Sequence, residues 1–193
     1  MAEAFFQATA WTMDTPKPYG AFHLVLTVLG VSLSIFLARK FSFPERKAGP
    51  DTILFLCGLF LGLTELYKQG FIYYIENGRT YDWWYFPFQL CSVPMYLGLF
   101  IPMVPARIRN VFYLFIQDFG LLGGIMALAE PSGLMHPYWT MTVHGFLWHF
   151  NLIFMGLICA FYNLKTETPK SYLHTIPLFL FCTAIATAVN VLS

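Results

Sequence analysis

A thiol, two imidazoles and two carboxylates stand out in a chain otherwise short of reactive side chains. The stretch "WYFPFQLCSVPMYL", residues 84–97, sets Cys91 among apolar residues between Pro87 and Pro94, with Gln89 and Ser92 beside it. The run "HGFLWH" carries His144 and His149, and Glu65 and Asp118 also stand in apolar surroundings. A thiol with an imidazole in reach is the minimum nucleophile and base pair, because the thiolate is the reactive form. A carboxylate that orients the imidazole completes a triad-like arrangement, with Glu65 or Asp118 in that role. In apolar surroundings the electrophile that fits is the ester of an acyl lipid. The reaction class is then acyl transfer through a thioester.

Each of these residues also has a plain structural reading. A buried cysteine is usually a small hydrophobe; for Cys91 this reading and the chemical one stand level, and for Cys57, Cys159 and Cys182 it prevails. Glu65 and Lys68, three apart, can pair on one helix face, or Lys68 can snorkel to the interface and leave Glu65 free. Asp118 precedes "FGLLGG", a stretch suited to close helix packing, where it can act as an interhelical hydrogen bonder. His23 and His174 fall near helix ends and His136 in a loop. His144 and His149 stand about 140° apart around a helix, whereas helical metal sites favour the i,i+4 spacing. A zinc site built from them and Asp118 is weakly supported, and neither a metal nor a cofactor is expected. One histidine is expected to face the thiol and the other to pack or support it; His149, deeper and followed closely by Asn151, is the better candidate.

The elements that position these groups follow from composition. Of 193 residues, 58% are hydrophobic and 11% charged, against about a quarter charged in an ordinary soluble domain. Such a chain is dissolved in lipid. A net charge of +1 gives no argument for a nucleic-acid partner. About twenty apolar residues cross the hydrocarbon core, and six segments qualify: Ala21 to Ala38, Thr52 to Tyr74, Trp84 to Val104, Val111 to Ala129, Tyr138 to Tyr162 and Tyr172 to Leu192. The fold class expected is all-α, a polytopic bundle of six transmembrane helices in a single domain spanning 1–193. Residues 1–20 read as no cleavable signal, but as an arm whose Phe5, Phe6 and Trp11 suit a membrane surface.

Charge sets the expected orientation. Arg39, Lys40, Arg46, Lys47, Arg107, Arg109, Lys165 and Lys170 fall on one side, and only Lys17, Lys68 and Arg79 on the other. The positive-inside rule makes the first side cytoplasmic and both termini extracytoplasmic. Counting helical rise from the span ends then places Glu65, Cys91, Asp118 and His149 in one layer between the midplane and the outer leaflet. Ionisable groups there are costly unless used or paired.

The run "YFPFQLCS", followed some sixty residues later by "MHPYWTMTVHGFLWHF" with a glutamate in the preceding span, resembles the YwaF family of bacterial integral membrane proteins. It is also similar to their animal relatives, the transmembrane protein 164 family. The likeness runs from about Glu65 to His149, with a weaker trace at Asn190. It implies a small polytopic helical protein of a bacterial cell membrane. The animal members are acyltransferases that move a polyunsaturated acyl chain onto ether lysophospholipids through a cysteine and a histidine. Cys91 matches that cysteine and His149 that histidine; Gln89 stands where the pattern commonly has another histidine.

These readings converge on a lipid acyltransferase or thioesterase-like enzyme with Cys91 and His149 catalytic, and Glu65, Gln89, Asp118 and His144 supporting. Its partners are membrane lipids, including an acyl-lipid substrate. The alternative is a non-enzymatic substrate-binding or transporter subunit for a small hydrophobic ligand, with the same polar groups as contacts. No inverted repeat links the two halves of the chain, which disfavours a stand-alone repeat-type transporter.

Overall fold

The computed structural model describes residues 1–42, 50–163, 168 and 170–192. Arg46, Lys47 and Lys165, three of the basic residues used for orientation, lie outside the described residues. Among the described residues regular structure is entirely helical, apart from one isolated bridge between Thr12 and Tyr138. The helices are α1 (Ala2–Thr9), α2 (Ala21–Phe41), α3 (Asp51–Phe71), α4 (Val93–Phe100), α5 (Ala106–Phe115), α6 (Leu121–Ala129), α7 (Trp139–Asn163) and α8 (Ile176–Leu192). A π-helical turn, Ile116–Gly120, joins α5 to α6 without a break, and another, Ile72–Glu76, extends α3.

Four continuous helical segments are long and apolar enough to cross a membrane: Ala21–Phe41, Ala106–Ala129, Trp139–Asn163 and Ser171–Leu192. In α7 half of the most apolar window is buried, against 11% in the last segment, so α7 is the axis of the bundle and α8 stands at its margin. The neighbours of α7 are held close by glycine. An added Cβ at Gly124 would sit 3.1 Å from the His149 carbonyl oxygen, and one at Gly156 3.1 Å from that of Ile116. α2 follows α7 in parallel, with Ser34 Oγ donating to the Phe150 carbonyl at 3.1 Å. At the end carrying Arg107 and Arg109, Asp51 at the start of α3 pairs with Arg109 and accepts from Tyr113 Oη.

The third expected span, Trp84 to Val104, is not one helix. Trp83–Tyr85 makes a short 3-10 turn, residues 86–92 are irregular, and α4 begins only at Val93. Two prolines account for this. Phe86 is extended (ψ 125), as the residue before Pro87 must be. Pro94 occupies the first turn of α4, where its missing N–H and fixed φ cost nothing. The remaining helix, Val93–Met103 with its 3-10 end, is held by α3 through a backbone-to-backbone crossing. An added Cβ at Gly98 would lie 2.6 Å from the Leu54 carbonyl oxygen, and one at Gly58 2.7 Å from the Leu99 nitrogen. Small residues permit such approaches between helices in lipid.

The N-terminal arm is tied across the end of the bundle opposite Arg109. Phe6 stacks on Tyr74 with centroids 5.5 Å apart, Thr9 Oγ1 lies 2.6 Å from Tyr67 Oη, and Glu3 pairs with Arg79. The Thr12–Tyr138 bridge is closed by Met13 N–H to the Pro137 carbonyl and Trp139 N–H to that of Trp11, each at 2.9 Å.

Candidate functional site

Breaking the helix before Val93 puts Cys91 in a turn. Ser92 N–H bonds the Gln89 carbonyl at 2.8 Å, and Met95 N–H bonds that of Ser92 at 3.2 Å. The turn is seated between two helices. Trp148 Nε1 of α7 donates to the Cys91 carbonyl at 3.2 Å, and Gly123 of α6 faces the turn, where an added Cβ would meet the Cys91 Cα in ordinary contact at 3.6 Å. The thiol itself donates to Gln89 Oε1 at 3.8 Å, a weak sulfur hydrogen bond.

A cavity of about 340 Å³ opens beside this turn, bounded by the 84–92 segment, the 132–136 loop, α3 and α7. Cys91, Gln89, His144 and His149 all line it, so the structure brings four of the six expected site residues to one space. α7 contributes Met141, His144, Gly145, Trp148 and His149, which together cover an arc of about 140° of that helix.

His149 is buried, with Nδ1 2.7 Å from the Gly145 carbonyl oxygen. A carbonyl only accepts, so Nδ1 carries the proton and, in the neutral ring, Nε2 offers a lone pair. The imidazole is thus oriented by the main chain, where a carboxylate was expected. His144 packs its ring on Trp148 at 5.5 Å, and its Nε2 is buried without a hydrogen-bond partner.

The two carboxylates stand elsewhere. Glu65 is buried; its Oε1 accepts from Lys68 Nζ at 2.8 Å and from Gln69 Nε2 at 2.7 Å, while Oε2 has no partner. Gln69 also donates to the Tyr85 carbonyl at 2.6 Å, which ties α3 to the irregular segment leading to Cys91. Asp118 lies in the π-helical turn, where Gln117 Nε2 donates to it at 3.4 Å. Because Ile116 lies level with Gly156 and Gly120 with Leu152, Asp118 is roughly 8 Å along α7 from His149, away from the cavity. The shared layer expected for Asp118 therefore does not bring it to the site.

Two basic side chains outside the expected set, His136 and Lys68, join the cavity wall. His136 lies 4.0 Å from a Glu76 oxygen and reaches the cavity from its loop. Lys68 lines the cavity with its ammonium 5.9 Å from the Trp148 ring centroid. The i,i+3 spacing of Glu65 and Lys68 was the available signal, and it revealed the ion pair without showing which member faces the site. Among the described residues no three of His, Cys, Asp and Glu converge as metal ligands do.

Apolar spanning helices around a polar cavity define an integral, polytopic α-helical membrane protein. The family model of the TMEM164 family matches residues 18–193, and the chain belongs to that family. The match takes in α2 and α8, well beyond the Glu65–His149 stretch that carries the likeness by eye. No curated protein and no solved structure matches the chain.

Proposed function

We propose that the chain is a membrane-embedded acyltransferase, with Cys91 as nucleophile and His149 Nε2 as base. The observation that carries this reading is that a thiol and an imidazole with its free lone pair on Nε2 line one cavity. As the Cys91 sulfur attacks an ester carbonyl, its proton passes to His149 Nε2. The tetrahedral adduct collapses by breaking the ester C–O bond, and the same proton leaves with the glycerol oxygen. An acceptor hydroxyl then attacks the thioester, giving its proton to His149, which returns it to the departing sulfur. Water in the acceptor's place yields the thioesterase outcome. Gln89, whose Oε1 holds the thiol, has its amide N–H groups left to stabilise the oxyanion.

A second cavity of about 420 Å³ supports a lipid substrate. It shares Trp84, Phe86 and Gln89 with the first, and is walled by Phe88, Phe179, Val189 and Asn190. An acyl chain can lie there with its ester at the thiol. In this reading the chain crosses the membrane six times with its third crossing broken, the cavity faces the outer leaflet, and both termini are extracytoplasmic.

The test is mass spectrometry of the full chain in phospholipid nanodiscs. A hydroxylamine-sensitive acyl adduct is expected on Cys91, absent in Cys91→Ala and slowed by about 10²-fold or more in His149→Ala. Cys57→Ala and Cys159→Ala should leave it unchanged. Acyl transfer that persists in Cys91→Ala would overturn the reading. Lipid binding without any adduct would favour the non-enzymatic alternative.

A further inference from the structure

Among the described residues, Lys68 is the only lysine or arginine that lines the Cys91 cavity. Its side chain is 21% exposed, against 5% for its partner Glu65. The pair is directional. Glu65 does not line the Cys91 cavity; it lines a neighbouring groove, which meets the cavity at Pro87, with Tyr96 and Leu99. Gln69 shares its Oε1 and withdraws negative charge from it. The ammonium also lies over the Trp148 ring, 5.9 Å from its centroid. Of the pair, the positive member thus lines the cavity and the negative member does not. A half-buried ammonium so held keeps donors for an acceptor inside the cavity, since Lys carries three and Glu65 takes one.

The depth fits as well. Lys68 lies in the last turn of α3, before its π-helical extension Ile72–Glu76, toward the end of the bundle where the 132–136 loop and the aromatic cluster at 84–86 close the cavity. In the six-crossing reading that end faces the outer leaflet, where lipid phosphates lie above the ester groups.

We propose that Lys68 is the anion-holding residue of this cavity, and that the anion it takes is a phosphate group, with the phosphodiester of a membrane lipid as its source. Glu65 and Trp148 position the ammonium, and Lys68 sets which lipids present an ester to Cys91. The proposal deepens the acyl-lipid reading and rests on it for the ester; the anion site itself does not require catalysis.

The experiment therefore uses the Cys91→Ala chain, which can form no thioester. The full chain is purified in detergent, offered dioleoylphosphatidylglycerol or dioleoylglycerol, and its retained lipid measured by native mass spectrometry. Cys91→Ala should retain the phospholipid in preference to dioleoylglycerol. Adding Lys68→Gln should cut phospholipid retention roughly 10- to 100-fold, the loss of one charge-assisted hydrogen bond, and leave dioleoylglycerol unchanged. Lys68→Arg should restore it. Because Lys68→Gln leaves Glu65 buried and unpaired, Glu65→Gln with Lys68→Gln serves as a second variant, and should show the same selective loss. Persistence of the bound phospholipid in excess inorganic phosphate assigns the anion to a headgroup. Displacement that depends on Lys68 assigns it to free phosphate and overturns the lipid source. Equal retention of the two lipids, or phospholipid retention unchanged in both Lys68→Gln variants, overturns the site. Loss of acyl transfer in the wild-type background with intact Lys68-dependent retention would sink the catalytic reading alone.

Discussion

Replacing Gly98 by alanine adds one methyl group at the point where α3 and α4 touch, and the structure gives the size of the effect. The new Cβ would fall 2.6 Å from the Leu54 carbonyl oxygen, where ordinary contacts begin at 3.4 Å. The obstacle is backbone, so no side chain can swing aside; α4 must retreat from α3 by about 0.8 Å. Overpacking of this kind costs about 1–3 kcal/mol. The functional effect should be larger than the stability loss suggests. Cys91 stands two residues before α4, in a turn hydrogen-bonded into its first residues, so the thiol moves with the helix. A misplacement of about 1 Å at a reacting atom can cost on the order of 10²-fold. Gly98→Ala should therefore slow Cys91 acylation by tens-fold while lowering the unfolding midpoint in nanodiscs by a few degrees. Gly62→Ala is the control, since its Cβ would meet only Leu99 Cδ1, at 3.6 Å. If Gly98→Ala matches Gly62→Ala in both rate and midpoint, the crossing does not position the thiol.

Trp148→Phe keeps the ring against Lys68 and His144 but removes the indole N–H from the Cys91 carbonyl. Losing that bond, about 0.5–1.5 kcal/mol, should slow acylation several-fold without unfolding the chain; an unchanged rate would show that the turn holds itself. In intact cells, a cysteine placed at Ser42 should resist impermeant thiol reagents, whereas one at Ser132, on the loop bounding the cavity, should react. The reverse pattern inverts the topology. A cysteine at Thr166 is expected to be protected like Ser42, although that position is outside the described residues.

The long helices were legible because lipid imposes one rule, that a span be apolar and about twenty residues long. The expected segment Tyr138 to Tyr162 is observed as Trp139–Asn163, and Tyr172 to Leu192 as Ser171–Leu192. Hydropathy fails for 84–104 because it counts side chains and ignores whether the backbone can bond to itself. Pro87 and Pro94 were the visible warning. The site divides along a similar line. Helical rise gives depth, and it set Cys91 and His149 near one level. It does not give the direction a side chain faces, which depends on how the helices pack. For that reason Asp118 could look like a site residue while lying beside Gln117, and Lys68 could look like a snorkelling interface residue while lining the cavity.

The shortness of the helix after Cys91 reaches beyond the finished bundle to how the protein is made. Val93–Met103 extends about 16 Å, half of a hydrocarbon core of about 30 Å. The segment before it has open backbone groups that bare lipid does not tolerate. As the chain leaves the ribosome, this stretch cannot partition into the bilayer alone as the four long helices can. It has to wait at the interface until α3 is in place to receive it at Gly58, and until Trp148, more than fifty residues downstream, arrives to hold the turn. The thiol is therefore enclosed only once α7 has been made. Until then Cys91 stands outside the cavity, apart from His149, so in the proposed reading the pair can work only in a chain whose insertion has gone that far.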